Sequence, residues 1–248
     1  MAPRRAAAVT TLALLPARQR GVAPVNTAPV ARRYKVLLIL SVALVLLDQS
    51  SKFLAVRLLT PGIAQAHFEA HGETTPSAAR RVELLGSLGL GRQLAYFYGD
   101  VVHPCQHPNA YCPVVPMVDG FWSWRYVENP GAAWGVLADT DASIRLPFFY
   151  AVAALAIGFI LWFFRRLDDS QVLLTLGLSF VLGGALGNLI DRLHLSYVID
   201  FIDWYAGSSH FPTFNVADAA ITVGIALLVV DMWRTRPGRN PSASPETT

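Results

Sequence analysis

The acidic and amide residues of this chain fall into a few pairs at helical spacing. Asp48 and Lys52 stand at i, i+4 in "DQSSK"; Asn188 and Asp191 stand at i, i+3 in "GGALGNLIDR", with Arg192 next. Asn215 and Asp218 stand at i, i+3 in "FNVADAAITVG", and Asp200 and Asp203 lie between these groups in "VIDFIDW". Residues at these spacings share a helix face. Carboxylates that converge on one water can hydrolyse a peptide bond. One, ionised, takes a proton from water, while the other, protonated, donates to the carbonyl oxygen and then to the leaving amine. Two like charges held close split their titrations and keep one proton on the pair, and that proton belongs to the pair.

Other chemistries find less. No serine stands in a nucleophile elbow near His194 or His210, and no HExxH occurs. "HPCQHPNAYC" could bind a metal through His103, Cys105, His107 and Cys112, but in an oxidising compartment a Cys105–Cys112 disulfide is favoured. No metal or cofactor is therefore expected. Plainer readings stand beside the catalytic one. Asp218 and Asn215 could simply cap a helix. Asp48 and Lys52 could be a buried ion pair without chemistry, and Asp191 with Arg192 an end-of-helix charge cluster.

These residues lie in or beside apolar segments. The 248 residues are 53% hydrophobic and 15% charged, with a mean hydropathy of +0.40. Soluble domains carry about 25% charged residues, so the composition points to a polytopic membrane protein. The net charge of +3 comes without the basic and aromatic pattern of a nucleic-acid surface, and no nucleic-acid partner is expected. Crossing a bilayer takes about 20 apolar residues. The sequence predicts spans over about 36–58, 144–164, 171–191 and 214–233. A charge inside a span costs about 2.5–3.5 kcal/mol even on lenient scales, so intramembrane charges mark a functional site by default.

Lys and Arg placement gives the orientation. Residues 1–35 hold Arg4, Arg5, Arg18, Arg20, Arg32, Arg33 and Lys35 without an acidic residue; "RRLDDS" holds Arg165 and Arg166; the tail holds Arg234, Arg236 and Arg239. Both termini and the middle connection are thus read as cytoplasmic, and every polar pair above maps to the opposite, outer side. Residues 1–34 are read as a disordered cytoplasmic extension, or as upstream of the true start codon, rather than as a cleaved signal. Residues 235–248 have a disordered composition. The four-span body is 35–234, with an outer insertion at 61–127. Within it "QLAYFYG" and "GFWSWRYVEN" suit short strands near a membrane interface. The expected class is an all-α polytopic membrane protein: four transmembrane helices with a small extracytoplasmic β-rich subdomain. Gly183 and Gly187 stand at GxxxG spacing, which allows close helix approach.

Taken together, "DQSSK", "ENPGAAWG", "GGALGNLIDR", "VIDFIDW" and "FPTFNVADAAITVG" resemble the bacterial lipoprotein signal peptidases, or signal peptidase II. They occur in that family's order and cover about 36–234. The resemblance implies a monomeric aspartic endopeptidase of the bacterial inner membrane. It would remove signal peptides from diacylglyceryl-modified prolipoproteins, cutting before the lipid-bearing cysteine, with membrane lipid around it. Asp200 and Asp218 look like the catalytic pair, with Asp203 the competitor for Asp200. Asn129, Gly131, Asn188, Asp191, Arg192 and Asn215 look like residues that shape the site and hold substrate. Asp48 and Lys52 look like support from the first span. The chain departs from the family's pattern in its N-terminal extension, in the length of 61–127, and at Trp134, where Phe is more usual. A proton-coupled carrier is disfavoured by the absence of an inverted repeat and by a cluster on one leaflet. A presenilin-type protease is disfavoured because no GxGD stands in a span. A non-catalytic scaffold would tolerate loss of the aspartates.

Overall fold

The computed structural model of the chain describes residues 32–71, 78–99, 101, 103–106, 112–131 and 136–235, all within the unit spanning Ala31–Thr248. Residues 1–31 of the N-terminal extension, 236–248 of the C-terminal tail, His107 and Trp134 lie outside the described residues, whereas Arg32, Arg33 and Tyr34, read from sequence as part of the extension, begin the first helix. Four helices are long and apolar enough to cross a membrane: α1 (Arg32–Leu59), α5 (Ala142–Phe164), α6 (Val172–Leu195) and α7 (Val216–Arg234). Three short helices, α2 (Gly62–Ala70), α3 (Ala78–Ser87) and α4 (Leu90–Gly99), follow α1. Strands β1 (Val115–Val118) and β2 (Trp122–Asn129) precede α5, and β3 (Val198–Ala206) and β4 (Ser209–His210) join α6 to α7. The strands pair antiparallel in the order β1-β2-β3-β4.

The long helices carry the marks of an apolar solvent. α5 is apolar all round, yet Leu155 is 73% and Phe159 59% exposed. A helix of that kind belongs in a membrane or a large core, and no protein covers its outer face among the described residues. α6 is the central helix. Its glycines bring neighbours to backbone distance: a Cβ on Gly183 would meet Leu44 of α1 at 2.8 Å, and one on Gly184 would collide with the Ala217 carbonyl of α7. Small residues at helix crossings are how apolar helices associate where lipid offers no hydrophobic drive.

Two apolar clusters close the ends of the bundle. One joins the C-terminal half of α1 to α2, α4 and the sheet, around Phe53, Val56, Ile63, Phe97, Tyr197 and Ile199. The other, at the opposite end, gathers Leu37, Ile160, Phe164 and Leu182. Asp48, Lys52, Asn188 and Asp191 form a polar layer, and all are buried. Arg33 at the start of α1 pairs with Asp169 in the α5–α6 connection at 3.2 Å, so these two basic segments share one end of the bundle.

The insertion differs from expectation. "QLAYFYG" is not a strand; it forms α4. Gln93 and Phe97, four apart, are buried on one face, and the Gln93 amide donates to the Leu85 and Leu88 carbonyls that end α3. The stretch reads equally well at period two, but burial follows the helical period. "GFWSWRYVEN" does supply a strand, β2. Cys105 and Cys112 are bridged between α4 and β1.

The glycine at the α6–α7 crossing gives a test. Gly184→Ala should lower stability by about 1–3 kcal/mol, the usual effect of overpacking, seen as a lower Tm in detergent. Gly158→Ala, with open space around its Cβ position, should change Tm little. Equal Tm for the two variants would contradict the tight crossing.

Candidate active site

Asp200 and Asp218 reach one cavity from different elements. Asp200 sits on β3, 1% exposed, and Asp218 in the first turn of α7. The cavity has a volume of about 870 Å³ and is walled by the face of the sheet and the start of α7. Asn129, Asn188 and Arg192 also line it, with apolar residues such as Val198 and Phe214. A concave, mostly apolar site with a few convergent polar groups is the form of a ligand pocket.

Strand geometry selects Asp200 over Asp203. Side chains alternate across a strand, so residues three apart face opposite sides. Val198, Asp200 and Trp204 face the cavity. Asp203 points the other way, where its carboxylate accepts from Ser123 Oγ at 3.1 Å and pairs with His210 Nδ1 at 2.9 Å. Pairing of β2 with β3 places Val127 opposite Asp200, which leaves Asn129 diagonal to it on the same face. Asn129 Nδ2 donates to Asp200 Oδ2 at 2.9 Å, and its Oδ1 accepts from the Gly131 backbone N–H at 3.0 Å.

Asp218 and Asn215 form a capping box at the start of α7. Asn215 Oδ1 accepts from the Asp218 backbone N–H at 2.9 Å, and Asp218 Oδ2 from the Asn215 backbone N–H at 3.2 Å. The helix-cap reading of this pair is therefore met, and Asp218 lines the cavity as well. Asn215 Nδ2 donates to Asp200 Oδ1 at 2.7 Å, so one amide ties the cap of α7 to the carboxylate of β3. Asn188 Nδ2 donates to Asp218 Oδ1 at 2.8 Å, while its Oδ1 accepts from Lys52 Nζ at 3.0 Å. Each oxygen of both carboxylates thus has a fixed donor. Burial, and then the charge of Asp218, pushes the Asp200 carboxyl up to about 7, against the pull of the Asn129 and Asn215 amides. The pair therefore retains a proton up to near neutral pH.

Lys52 anchors this arrangement. Its ammonium reaches Asp48 Oδ2 at 2.8 Å and Asp191 Oδ2 at 2.9 Å, and all three side chains are closed to solvent. Asp48 Oδ1 accepts from the Ala217 backbone N–H, and Asp191 Oδ2 from that of Ile199. A Cβ on Gly187 would lie 2.6 Å from Asp48 Oδ2, so this glycine makes room for the carboxylate as well as for packing. Arg192 donates to the Gly131 and Asn188 carbonyls and lies 4.4 Å over the Phe149 ring. Gly131 sits in a turn where a Cβ would press the Val136 carbonyl.

The sequence reading passed over Gln49. Its Nε2 donates to Asp191 Oδ1 at 2.8 Å and more weakly to Asp48 Oδ2 and the Gly187 carbonyl. An amide beside Asp48 in an apolar helix was the available signal. Among the described residues no group of three or more His, Cys, Asp or Glu is placed to hold a metal ion. His103 pairs with Glu128 instead, and Cys105 with Cys112.

The chain is similar to known proteins in sequence and in fold. Residues 100–234 match the family model described as signal peptidase (SPase) II. A lipoprotein signal peptidase of Anaeromyxobacter sp. (strain Fw109-5) is 37% identical over 217 residues, 86% of this chain and 92% of that protein. One of Geobacter sulfurreducens is 50% identical over 127 residues, 51% of this chain and 78% of that protein. A solved bacterial membrane enzyme superposes with a TM-score of 0.53 at 19% identity, covering 85% of this chain and 94% of that one, a likeness of fold.

Lys52→Met leaves Asp48 and Asp191 buried without their cation. The expected loss is about 3–5 kcal/mol, measured as a large drop in Tm or in folded yield from detergent. A variant as stable as the parent would show that the ammonium is not the anchor.

Proposed function

The chain belongs to the signal peptidase II family, membrane peptidases that remove signal peptides from prolipoproteins, and we propose that Asp200 and Asp218 carry out the cleavage. The observation that carries this assignment is the pair itself: two carboxylates on one cavity wall, joined through Asn215, with Asp200 pushed up to about 7. Asp218, with donors on both oxygens, takes a proton from water as the water oxygen bonds to the scissile carbonyl carbon. Asp200 gives its proton to the carbonyl oxygen. The gem-diol adduct then collapses: the proton held by Asp218 passes to the leaving nitrogen, the C–N bond breaks, and one of the two hydroxyls returns its proton to Asp200 as the new carbonyl forms. Asn129, Asn188 and Asn215 hold the carboxylates in plane. Arg192 fixes Gly131, so that the turn after β2 shapes the wall where the peptide lies.

The substrate is a diacylglyceryl-modified prolipoprotein cut before the modified cysteine. The apolar faces of α5, α6 and α7 suit acyl chains lying in lipid, and the cavity mouth suits an unwound peptide. The orientation follows from charge. Arg33, Arg165, Arg166 and Arg234 lie at the ends of α1, α5 and α7 remote from the aspartates, which by the positive-inside bias favours cytoplasmic termini and an active site on the outer face of the bacterial inner membrane. One chain supplies both aspartates and a donor to each of their carboxylate oxygens, so a monomer suffices for the reaction.

Asp200→Asn and Asp218→Asn should each abolish signal-peptide release from a diacylated prolipoprotein in detergent or lipid, with Tm kept near that of the parent. Full activity in either variant would overturn the pair. Cleavage should continue in a chelator. The rate should fall as pH rises through about 7, because the raised Asp200 carboxyl loses the required proton there. A rate that is flat from pH 6 to 9 would contradict the shared proton.

A further inference from the structure

We propose that Tyr98, on the insertion helix α4, is a positioning residue for the cleavage: through Gln49 it fixes the buried Lys52 cluster that aims Asn188 at Asp218. This inference rests on the assignment of Asp218 to the catalytic pair.

α4 lies outside the bundle but is fastened to it. Phe97 is buried and meets Phe53 of α1 edge-on at 5.6 Å. Tyr98, the next residue, sets its ring edge-on to His194 of α6 at 5.4 Å. Its hydroxyl donates to Gln49 Oε1 at 3.1 Å. Burial, then the charges of Asp191 and Asp48, push the Tyr98 hydroxyl up, so it stays a neutral donor. The phenol bonds the amide directly, from a side chain that is partly exposed.

The direction of Gln49 is set by its neighbours. A glutamine amide offers two donors on nitrogen and an acceptor oxygen. Nε2 faces Asp191, Asp48 and the Gly187 carbonyl, all acceptors. The reverse orientation would press Oε1 against two carboxylates. Oε1 therefore points away from the cluster, and Tyr98 is what meets it. Beyond Gln49 the same logic continues inward. Asp48 and Asp191 take two of the three Lys52 donors, and the third goes to Asn188 Oδ1. With its oxygen so occupied, Asn188 must turn Nδ2 toward Asp218 Oδ1. Five consecutive polar contacts, Tyr98 to Gln49, Gln49 to Asp191, Asp191 to Lys52, Lys52 to Asn188 and Asn188 to Asp218, thus run from a helix of the insertion to a reacting carboxylate, each fixing the orientation of the next.

The test uses full-length enzyme in detergent with a diacylated prolipoprotein, measuring kcat, KM and Tm. Tyr98→Phe keeps the ring against Phe97 and His194 and removes only the hydroxyl. It should lower kcat about two- to tenfold, the effect of one lost neutral hydrogen bond, with KM and Tm unchanged. In a Gln49→Met background, Tyr98→Phe should cause no further loss. An unchanged kcat overturns the proposal. So does a loss of kcat that tracks a fall in Tm, or an equal fractional loss in both backgrounds. If Gln49→Met does not accumulate, the split between kcat and Tm in the single variant decides. Activity retained by Asp218→Asn would overturn the catalytic pair itself, whereas an inactive Asp218→Asn with a fully active Tyr98→Phe overturns only the role of Tyr98.

Discussion

The ammonium of Lys52 has three hydrogens and three acceptors, and no contact with solvent. Asp48, Asp191 and Asn188 take one hydrogen each. Asp48 shares α1 with Lys52, while Asp191 and Asn188 belong to α6, and their remaining valences reach further. Asp48 accepts from the Ala217 backbone N–H in the first turn of α7, and Asp191 from that of Ile199 in β3. One buried cation thus sets the relative positions of α1, α6, α7 and the central strand. Breaking such a cluster leaves uncompensated charge in a dry interior, so few alternative packings of these elements can compete with it. This is specificity more than net stability, because an apolar replacement of the whole cluster could pack as well.

The consequence for the site is geometric. A carboxylate on a strand and a carboxylate on a helix start would not keep a shared distance if strand and helix could slide. The Lys52 cluster fixes the helix against the strand from below, and Asn215 fixes it from beside the cavity through Asp200. The loop between β4 and α7 adds backbone bonds, with Phe214 accepting from Phe201 and Ile202 and donating to Ile202. Both aspartates are therefore carried by secondary structure, Asp200 by β3 and Asp218 by α7. The turn at Gly131 and the segment before α7 complete the cavity wall, and Arg192 clamps the Gly131 carbonyl.

Much of this was legible from residue types and spacing. Four apolar runs predicted four long helices, because length and composition alone decide which segments can cross a bilayer. The i, i+3 and i, i+4 pairs predicted which polar side chains share a face, since the helical repeat fixes that. The choice of Asp200 over Asp203 rests on the family resemblance; a separation of three in a strand puts the two on opposite faces, but nothing local marks the segment as a strand or tells which face meets the cavity. What spacing could not yield was anything set by contact between distant segments. Tyr98 and Gln49 are 49 residues apart, and nothing local marks their bond. The helical state of α4 was hidden for a similar reason. Its pattern fits two periods, and the choice between them was made by Phe53, Leu85 and Leu88, none of which lies within the segment.

Asp218 brings the local and the long-range causes together. As the third residue of α7 it answers the backbone N–H of Asn215, and Asn215 answers its own. A cap of this kind is worth about 0.5–2 kcal/mol to a helix, enough to favour aspartate there with no catalysis in view. The capping bond also holds Oδ2, and Asn188 holds Oδ1, so the plane of the carboxylate is fixed by the act of starting the helix. Capping and catalysis are then not competing explanations of one residue. The same hydrogen bond that begins α7 orients the group facing the cavity, and the amide of Asn215, buried and directed at Asp200, extends that orientation to the second carboxylate. Strain need not be stored to bring the pair together, because the helix start that places Asp218 is itself a favourable local structure.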